Sequence, residues 1–267
     1  MTETLVREKE AVLDAEGKTP HLSYSRVQRY LTCPEQYRLY YVQKLRAKVE
    51  SASLVFGAIV HLALAQLFRH GDDPVETFKR EWKALQKVEL RYSRKDSWQS
   101  LSEKGEKLLA KFCREEAQKI TGVLSVESVF ELGLSNLTLP FIGIIDLVAQ
   151  VNRKRTLVDF KTAAADYEDY EVALLDQLTA YKLAEPDAEQ VAVCVFIKSK
   201  EPKIEWHVAH RTPEQVVEYL GKIELVAEQI ERCNFYKRPG KWCRQCDFLP
   251  VCVGDRKKAQ QTLVRIV

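Results

Sequence analysis

Two strand-like segments joined by a short turn constrain the fold of this chain more than any other feature. The segments are "LPFIGIIDLVAQV" and "RTLVDFKTA", and Asn152, Arg153 and Lys154 lie between them. Because residues i and i+2 of a strand lie on the same face, Asp159 and Lys161 point the same way. The sequence therefore predicts a β-hairpin whose second strand carries a carboxylate and an ammonium group side by side.

The first strand of this hairpin adds a second carboxylate, Asp146, directly after an Ile-Ile pair. Burying an unpaired carboxylate is costly, and the turn brings Asp146 near Asp159. Two such carboxylates repel each other unless one is protonated or a cation lies between them, and carboxylate oxygens suit Mg²⁺ or Mn²⁺. Lys161 could orient a water or offset charge on a phosphate oxygen, which predicts metal-dependent hydrolysis of a phosphodiester. The alternative is a structural salt bridge between Asp159 and Lys161, with Asp146 as a turn residue.

The apolar pattern changes along the chain from a helical period to a strand period at about Ser125. We predict five strands, "SVESVFELGL", "LPFIGIIDLVAQV", "RTLVDFKTA", "QVAVCVFIKS" and "KIEWHVAHRT". One helix, "YEVALLDQLTAYKLAE", interrupts them, and another runs from Pro213 to about Cys233. Helices followed by a mixed sheet that is crossed by a helix indicate an α/β fold with an N-terminal helical elaboration.

The N-terminal half contains the helical elaboration. We predict one helix that stops near Leu31 and a second that starts at Pro34, with Thr32 and Glu35 forming a capping box. The apolar segment "SLVFGAIVHLALAQLFRHG" predicts a helix that ends near Gly71, and charged amphipathic helices follow it. We interpret no apolar run as long enough to span a membrane, and the N-terminus does not resemble a secretion signal. We therefore expect a cytoplasmic protein without a membrane partner.

The net charge of +3 is too small to imply a nucleic-acid partner, but the charges are unevenly distributed. From Arg232 to Lys258 there are eight Lys/Arg residues and two Asp/Glu residues. A solvated helical face is the ordinary explanation of such a run, whereas a basic segment on a nearly neutral chain indicates contact with a polyanion. The DNA-binding candidates in this segment are Arg232, Lys237, Arg238, Lys241 and Arg244.

The cysteines predict a metal or cluster site rather than disulfides, because disulfides are rare in a reducing cytosol. Cys243, Cys246 and Cys252 supply three thiolates within ten residues. A closed site usually needs four ligands, and Cys33, at the start of a helix that favours a thiolate, is the natural fourth. Four thiolates suit both zinc and an iron–sulfur cluster.

Five sequence motifs, in order, resemble the PD-(D/E)XK nuclease superfamily and its RecB-like branch. "GIID" followed by "DFK" resembles the catalytic D…D-x-K pattern, "GAIVHLAL" the helical histidine motif, and "QLTAYKLA" the Q-x-x-x-Y helix. "LSYSRVQRYLTCPEQYRLYYV" and "WCRQCDFLPVC" resemble the terminal cysteine segments of the CRISPR-associated iron–sulfur exonucleases of the Cas-four type. The resemblance spans about Ser23 to Cys252.

The resemblance implies a restriction-endonuclease-like fold and a role for each matched residue. His61, Asp146, Asp159 and the backbone carbonyl of Phe160 would hold Mg²⁺ or Mn²⁺, and Lys161 would position the attacking water. Gln177 and Tyr181, which share a helical face, would support the site or the entering strand. Cys33, Cys243, Cys246 and Cys252 would hold a structural [4Fe–4S] cluster, with Zn²⁺ as the alternative. Glu127 and Glu131 are both candidates for an additional upstream acid.

The domain boundaries follow from the same motifs. We expect a polar tail at 1–20, a helical subdomain with Cys33 and His61 at 21–125, a nuclease core at 126–235 and a basic iron–sulfur segment at 236–267. The resulting hypothesis is a metal-dependent DNA exonuclease that acts on single-stranded rather than duplex DNA in CRISPR adaptation or DNA recombination and repair. The alternative is a cluster-bearing DNA-binding adaptor subunit of a larger nuclease, helicase or integration complex.

Overall fold

A central five-stranded mixed sheet organises the chain. The computed structural model describes residues 21–135 and 137–266, so the predicted tail lies outside the described residues. The strands of the sheet are β4 (Ile120–Leu132), β5 (Phe141–Val151), β6 (Lys154–Ala163), β7 (Gln190–Ile197) and β8 (Lys203–Ala209). They lie in the order β4-β5-β6-β7-β8, and the β6–β7 pair is parallel whereas the other neighbours are antiparallel. All five predicted strands are confirmed, although β4 begins five residues earlier than the sequence pattern indicates.

The turn between β5 and β6 sets the register of the predicted hairpin. Asn152 and Arg153 both have left-handed backbone conformations, with φ of 50° and 68°. Two consecutive left-handed residues form the turn whose twist matches that of paired strands. The register runs from Val151 opposite Lys154 to Leu147 opposite Val158, beyond which the two strands are no longer paired. The open ends of the strands therefore form a fork at Asp159.

One face of the sheet is covered by three of the helices that precede the strands. Phe56, Phe78 and Trp82 are fully buried in a core that also contains Val158 and Phe160 of β6. The helices before the strands are α1 (Tyr24–Thr32), α2 (Pro34–Tyr37, continuing as a π-turn through Arg38–Val42), α3 (Ala52–His70), α4 (Pro74–Ala84) and α5 (Trp98–Lys111), and α3, α4 and α5 form this layer. Helix α1 lies in a separate core, where its Val27 and Tyr30 pack with Tyr219 and Ile223. Ser23 caps α1 by accepting a hydrogen bond from Arg26 N, and α3 ends at Gly71 as predicted.

The predicted capping box of Thr32 and Glu35 is wrong. Thr32 is the last residue of α1, and Cys33 precedes α2 without a side-chain cap. Glu35 instead accepts two hydrogen bonds of 2.7 Å from the guanidinium of Arg38. A bidentate, charge-assisted pair is stronger than a single bond to a backbone amide, which explains why the carboxylate turns away from the helix start.

The opposite face of the sheet is covered by α6 (Asp169–Ala173) and α7 (Asp176–Ala184), and the prediction of a single helix here is wrong. The guanidinium of Arg211 donates hydrogen bonds to the carbonyl oxygens of Val172 and Leu175, at 2.9 and 3.1 Å. These carbonyls would accept bonds from the following turn in a continuous helix. A side chain from a distant segment therefore stabilises the break.

The last predicted helix is confirmed as α8 (Pro213–Glu231), and the chain then returns to the N-terminal segment. Strand β9 (Leu263–Arg265) pairs with β1 (Leu45–Ala47), so the C-terminal part of the described chain is hydrogen-bonded to the segment that precedes α3. The remaining short elements are β2 (Glu50–Ser51), β3 (Leu90–Arg91), α9 (Leu249–Cys252) and α10 (Arg256–Thr262).

Within the described residues, α3 is long and apolar enough to cross a membrane by length and composition. The interpretation that no apolar run reaches that length is therefore wrong. The helix packs in the first core, where Val55, Ile59 and Leu64 have no exposed surface. Burial inside the protein accounts for its uniform apolar character.

Candidate active site

A continuous chain of polar contacts joins the end of β6 to α7. Lys161 Nζ lies 2.9 Å from Asp159 Oδ2 and donates a 2.7 Å hydrogen bond to Gln177 Oε1. Gln177 Nε2 donates to the hydroxyl of Tyr181 at 2.8 Å, and this hydroxyl donates to Asp159 Oδ1 at 3.1 Å. The four side chains thus form a closed ring. Asp159 and Lys161 lie on one face of the sheet because they are two residues apart in a strand. Gln177 and Tyr181 lie on one side of α7 because they are four residues apart in a helix.

Asp146 lies in the fork between β5 and β6. Its Oδ2 accepts a 2.9 Å hydrogen bond from the backbone N–H of Phe160, which has no partner strand on that side. The same oxygen lies 3.3 Å from Nδ1 of His61 on α3. The fork therefore fixes Asp146 between the two strands, and α3 brings His61 to it from the first helical layer.

Burial and charge together define the electrostatics of this site. Asp159 is 1% exposed and Asp146 is 7% exposed. Burial raises the pKa of Asp159, the ammonium of Lys161 opposes this shift, and the charge of Asp146 reinforces it. Desolvation opposes the charged form of Lys161, but the carboxylates of Asp159 and Asp146 outweigh it and raise its pKa. An additional cation would stabilise the two carboxylates in their ionised form.

Tyr181 is suited to donate a hydrogen bond at any ordinary pH. Burial, with the neighbouring charges of Asp159 and Asp146, raises its pKa well above the usual value. The hydroxyl consequently keeps its proton and holds Oδ1 of Asp159. The other oxygen, Oδ2, is enclosed, and among the described residues no hydrogen-bond donor is aligned on it besides the nearby ammonium.

A narrow cleft opens next to Asp146 on the side of the first core. It is lined by His61, Ala65, Phe68, Val126, Glu127, Asp146 and Phe160. Glu127 lies between Val126 and Ser128, which are paired with β5, and has a left-handed φ of 48° within a strand. Such a conformation is rare for a residue other than glycine and often occurs at functional sites. Of the two candidate upstream acids, Glu127 lines the cleft, whereas Glu131 is exposed.

Sequence reasoning missed Arg69 and Arg211. Arg69 forms a 3.1 Å ion pair with Glu127 and donates a hydrogen bond to the carbonyl of Val126. It follows His61 by eight residues, a helical spacing that could have placed it on the same side of α3. Arg211 also donates to Thr179 Oγ1 at 3.0 Å and thereby holds α7 in place, a contact that no sequence pattern indicates.

The donor chemistry of the site fits a divalent metal ion, although the side chains are not arranged around a shared point. Across residues 21–135 and 137–266, no three His, Cys, Asp or Glu side chains form a group that could hold a metal as they stand. His61 is paired with Asp146, and Asp159 with Lys161. A bound cation would give the enclosed Oδ2 of Asp159 a ligand partner and would lower the raised pKa of this carboxyl. A shift of Lys161 away from Asp159 would free that oxygen.

The segment that carries Cys33 lies close to two of the other predicted cluster cysteines, Cys246 and Cys252. Burial raises the pKa of Cys246 and of Cys252, and the charge of Cys33 contributes to both shifts. Gln36 Nε2 donates to Cys246 Sγ at 3.6 Å, and the sulfur of Cys243 accepts a bond from Gly240 N. The fold thus brings Cys33 towards residues that follow it by more than two hundred positions.

The five basic DNA-binding candidates have different surroundings. Arg238 donates to the carbonyl of Leu31 and joins the C-terminal segment to α1, whereas Lys237 donates to the carbonyl of Cys252 within that segment. Arg232 forms an ion pair with Glu228 within α8. Lys241 and Arg244, the other two candidates, are exposed.

Comparison with known proteins defines the class of this chain. A family model described as the PD-(D/E)XK nuclease superfamily matches residues 21–253. Because the match spans most of the sequence, the chain belongs to the PD-(D/E)XK nuclease superfamily, and its class is that of a nuclease.

Two solved structures resemble the chain. A candidate exonuclease from Eubacterium rectale matches with a TM-score of 0.53 and 17% identity, over 80% of each chain. A protein named SSO0001 matches with a TM-score of 0.48 and 16% identity, over 95% of this chain and 96% of its own. A search of curated proteins found no match. The likeness to the first structure supports the fold.

Proposed function

We propose that this protein is a metal-dependent DNA exonuclease that acts on single-stranded DNA. The observation that carries the proposal is the ring of Lys161, Asp159, Tyr181 and Gln177 beside the buried Asp146. A buried carboxylate pair next to a lysine is the combination that binds a divalent cation and stabilises charge on a phosphate oxygen. A salt bridge that served only stability would not need a second buried carboxylate.

His61, Asp146, Asp159 and the backbone carbonyl of Phe160 would hold Mg²⁺ or Mn²⁺. When bound, such an ion polarises a phosphoryl oxygen and lowers the pKa of a coordinated water. Lys161 would hold the attacking water or the phosphate through its ammonium group. Its hydrogen bond to Gln177 keeps the side chain extended towards the site.

Gln177 and Tyr181 would act as positioning residues. Tyr181 fixes Oδ1 of Asp159, so the oxygen that a cation would take is Oδ2, once the ammonium of Lys161 has moved away from it. Gln177 connects that hydroxyl to Lys161, so the carboxylate and the ammonium are oriented by one helix. A shift of α7 would misplace both groups together.

Cys33, Cys243, Cys246 and Cys252 would hold a structural [4Fe–4S] cluster. The hydrogen bond from Gln36, three residues after Cys33, to the sulfur of Cys246 supports this assignment, and zinc is the alternative for the same four thiolates. A cluster would reinforce the β1–β9 pairing, which also connects the C-terminal segment to the helical subdomain. Protein purified without oxygen should be brown and contain iron, whereas colourless protein with stoichiometric zinc would contradict the cluster.

The experiment is degradation of an end-labelled single-stranded oligonucleotide in Mn²⁺. Asp159→Ala and Lys161→Ala should each abolish metal-dependent degradation. Asp166→Ala and Lys203→Ala are matched controls, because these residues form an exposed Asp–Lys ion pair at 2.9 Å. The controls should degrade DNA like the wild type.

Degradation that survives both active-site substitutions would refute the proposal and favour the adaptor function. The same assay with a duplex and with a closed circle decides strand preference and the need for an end. A role as an exonuclease would place the protein beside the proteins of CRISPR adaptation or DNA recombination, as its partners.

A further inference from the structure

Helix α7 carries two residues of the closed polar ring, and its start depends on contacts with other parts of the chain. The helix is nine residues long and begins at Asp176, shortly after α6 has ended. Its N-cap residue, Leu175, has an apolar side chain and forms no side-chain cap. The first turn of such a helix frays easily, because its N–H groups have no partner within the helix.

Asp176 joins this first turn to two other helices. Its Oδ2 accepts a 2.9 Å hydrogen bond from Nε2 of Gln28 on α1. Both of its carboxylate oxygens lie 2.9 Å from the ammonium of Lys222 on α8. The Asp176 side chain is 16% exposed, and its negative charge at the N-terminal end also favours the dipole of α7. Charge-assisted hydrogen bonds therefore attach the start of α7 to α1 and to α8.

The residue after Asp176 is Gln177, which contacts the lysine of the ring. Oε1 of Gln177 accepts a 2.7 Å hydrogen bond from Lys161, and its Nε2 donates to the hydroxyl of Tyr181. Gln177 lies in the first turn of α7, so it meets Lys161 only while that turn is formed. Tyr181 lies one turn further along and is held by burial, being 3% exposed. The order of the first turn therefore governs the position of Lys161 more than that of Tyr181.

Arg211 stabilises α7 in a different place. Its guanidinium donates to Oγ1 of Thr179 at 3.0 Å and to the carbonyl oxygen of Leu175 at 3.1 Å. These bonds connect α7 to the segment between β8 and α8, which is not helical at that point. Of the α7 side chains that the structure describes, Asp176 is the one that hydrogen-bonds to other helices.

We propose that Asp176 is a positioning residue for the cleavage reaction. By attaching the first turn of α7 to α1 and α8, it keeps Gln177 in contact with Lys161. Through Gln177 it keeps the ammonium of Lys161 directed at the phosphodiester, although Asp176 itself does not touch the substrate. The inference rests on the proposed function for the role of Lys161, and it adds the side chains that hold this lysine in place.

The first test measures kcat and KM for degradation of a labelled single-stranded oligonucleotide in Mn²⁺. Asp176→Ala should lower kcat about tenfold to thirtyfold, because Lys161 is no longer held in the productive position. It should leave KM within about twofold, because Asp176 does not contact the strand. Asp176→Asn keeps an acceptor for one of the two partners and should lower kcat only about threefold.

One control and two partner variants separate positioning from loss of stability. Asp73→Ala is the matched control, since Asp73 accepts hydrogen bonds from two N–H groups at the start of α4, and its loss should weaken a helix start without lowering kcat. Gln28→Ala and Lys222→Met each remove one partner of Asp176 and should each lower kcat about threefold. If Asp176→Ala does not fold, these two variants decide the proposal.

A double substitution tests whether Asp176 acts through Gln177. In protein that already carries Gln177→Ala, the added Asp176→Ala should change kcat by less than about twofold, because the contact that Asp176 supports is already lost. A purely structural role would instead lower kcat by the same factor in both backgrounds.

Amide hydrogen exchange of the metal-free protein provides a readout that does not need catalysis. The N–H groups of residues 178–181 should exchange about tenfold faster in Asp176→Ala than in the wild type, and Asp73→Ala should leave them unchanged. If the wild type does not degrade DNA, the proposed nuclease fails, and the exchange measurement still decides whether Asp176 orders the first turn of α7.

The proposal is overturned if Asp176→Ala retains the kcat of Asp73→Ala, or if Gln177→Ala retains the kcat of the wild type. It is also overturned if Asp176→Ala lowers kcat equally with and without Gln177, or if exchange in α7 does not change. A higher KM with an unchanged kcat would likewise contradict it, because Asp176 would then act on binding of the strand.

Discussion

Removal of the Tyr181 hydroxyl should weaken both the fold and the catalytic site. This hydroxyl donates to Asp159 Oδ1 at 3.1 Å and accepts from Gln177 Nε2 at 2.8 Å, and the side chain is 3% exposed. Tyr181→Phe keeps the ring and its packing. The substitution leaves Oδ1 of Asp159 and the amide group of Gln177 without the hydroxyl that both contact. Because the site is buried, water cannot easily take the place of this hydroxyl.

The magnitude follows from the two bonds. A hydrogen bond to a charged group contributes about 1.5–3 kcal/mol and one between neutral groups about 1 kcal/mol. We expect a loss of about 2–4 kcal/mol in the free energy of unfolding, which for a chain of this size lowers the thermal midpoint by about 5–10 °C. Because Asp159 also becomes less firmly oriented, metal-dependent DNA cleavage should slow by about tenfold to a hundredfold.

Tyr219→Phe is the matched control. Tyr219 is 1% exposed, and its hydroxyl has no hydrogen-bond partner among the described residues. Its removal should be neutral or slightly stabilising, because a buried hydroxyl without a partner costs free energy. Urea unfolding measures the stability of both variants, and the labelled-oligonucleotide assay measures their rates. Equal stabilities and equal cleavage rates for Tyr181→Phe and Tyr219→Phe would show that the Tyr181 hydroxyl contributes neither to the fold nor to the site.

Three further predictions concern the helical layer, the cleft and the cysteines. Gly105→Ala would place a Cβ 2.1 Å from the buried ring of Phe78 and should destabilise the protein by about 1–3 kcal/mol. In the control Gly221→Ala the new Cβ meets nothing within 4 Å, so this variant should be more stable by about 0.5–1 kcal/mol. Thermal unfolding that ranks the two variants in the opposite order would contradict the packing of α4 against α5. Glu127→Gln should slow Mn²⁺-dependent cleavage about tenfold, because it removes a carboxylate that would attract the cation. The control Glu131→Gln changes an exposed residue and should leave the cleavage rate within about twofold of the wild type. Equal cleavage rates for the two variants would exclude Glu127 from the site. Cys33→Ser should lose iron and visible absorbance, as measured by metal analysis and spectroscopy. The control Cys113→Ser changes an exposed thiol and should keep both the iron and the absorbance. Full iron content in Cys33→Ser would show that Cys33 is not a ligand.

The parts of the fold and site that follow local periodicity could be predicted from the sequence. The alternation of β6 placed Asp159 and Lys161 on one face, and the i, i+4 spacing in α7 placed Gln177 beside Tyr181. Both relations depend only on the geometry of a single element. The strand pattern and the position of the hairpin turn were accessible for the same reason.

The parts that depend on distant contacts could not be predicted. The break between α6 and α7 is stabilised by Arg211, which lies some forty residues further along the chain. The hydrogen bond from Phe160 N to Asp146 exists because two paired strands separate at that point, and no sequence pattern marks where a ladder ends. Likewise, the left-handed conformation of Glu127 is imposed by its place in the sheet rather than by its residue type.

The proposed function requires that a divalent cation binds between Asp146 and Asp159, and anomalous scattering from crystals grown with Mn²⁺ can locate that cation. We expect a manganese peak within coordination distance of both carboxylates, with the ammonium of Lys161 displaced from Asp159 Oδ2. The absence of a peak from the fork between β5 and β6, in crystals that bind manganese elsewhere, would show that these carboxylates do not hold the metal.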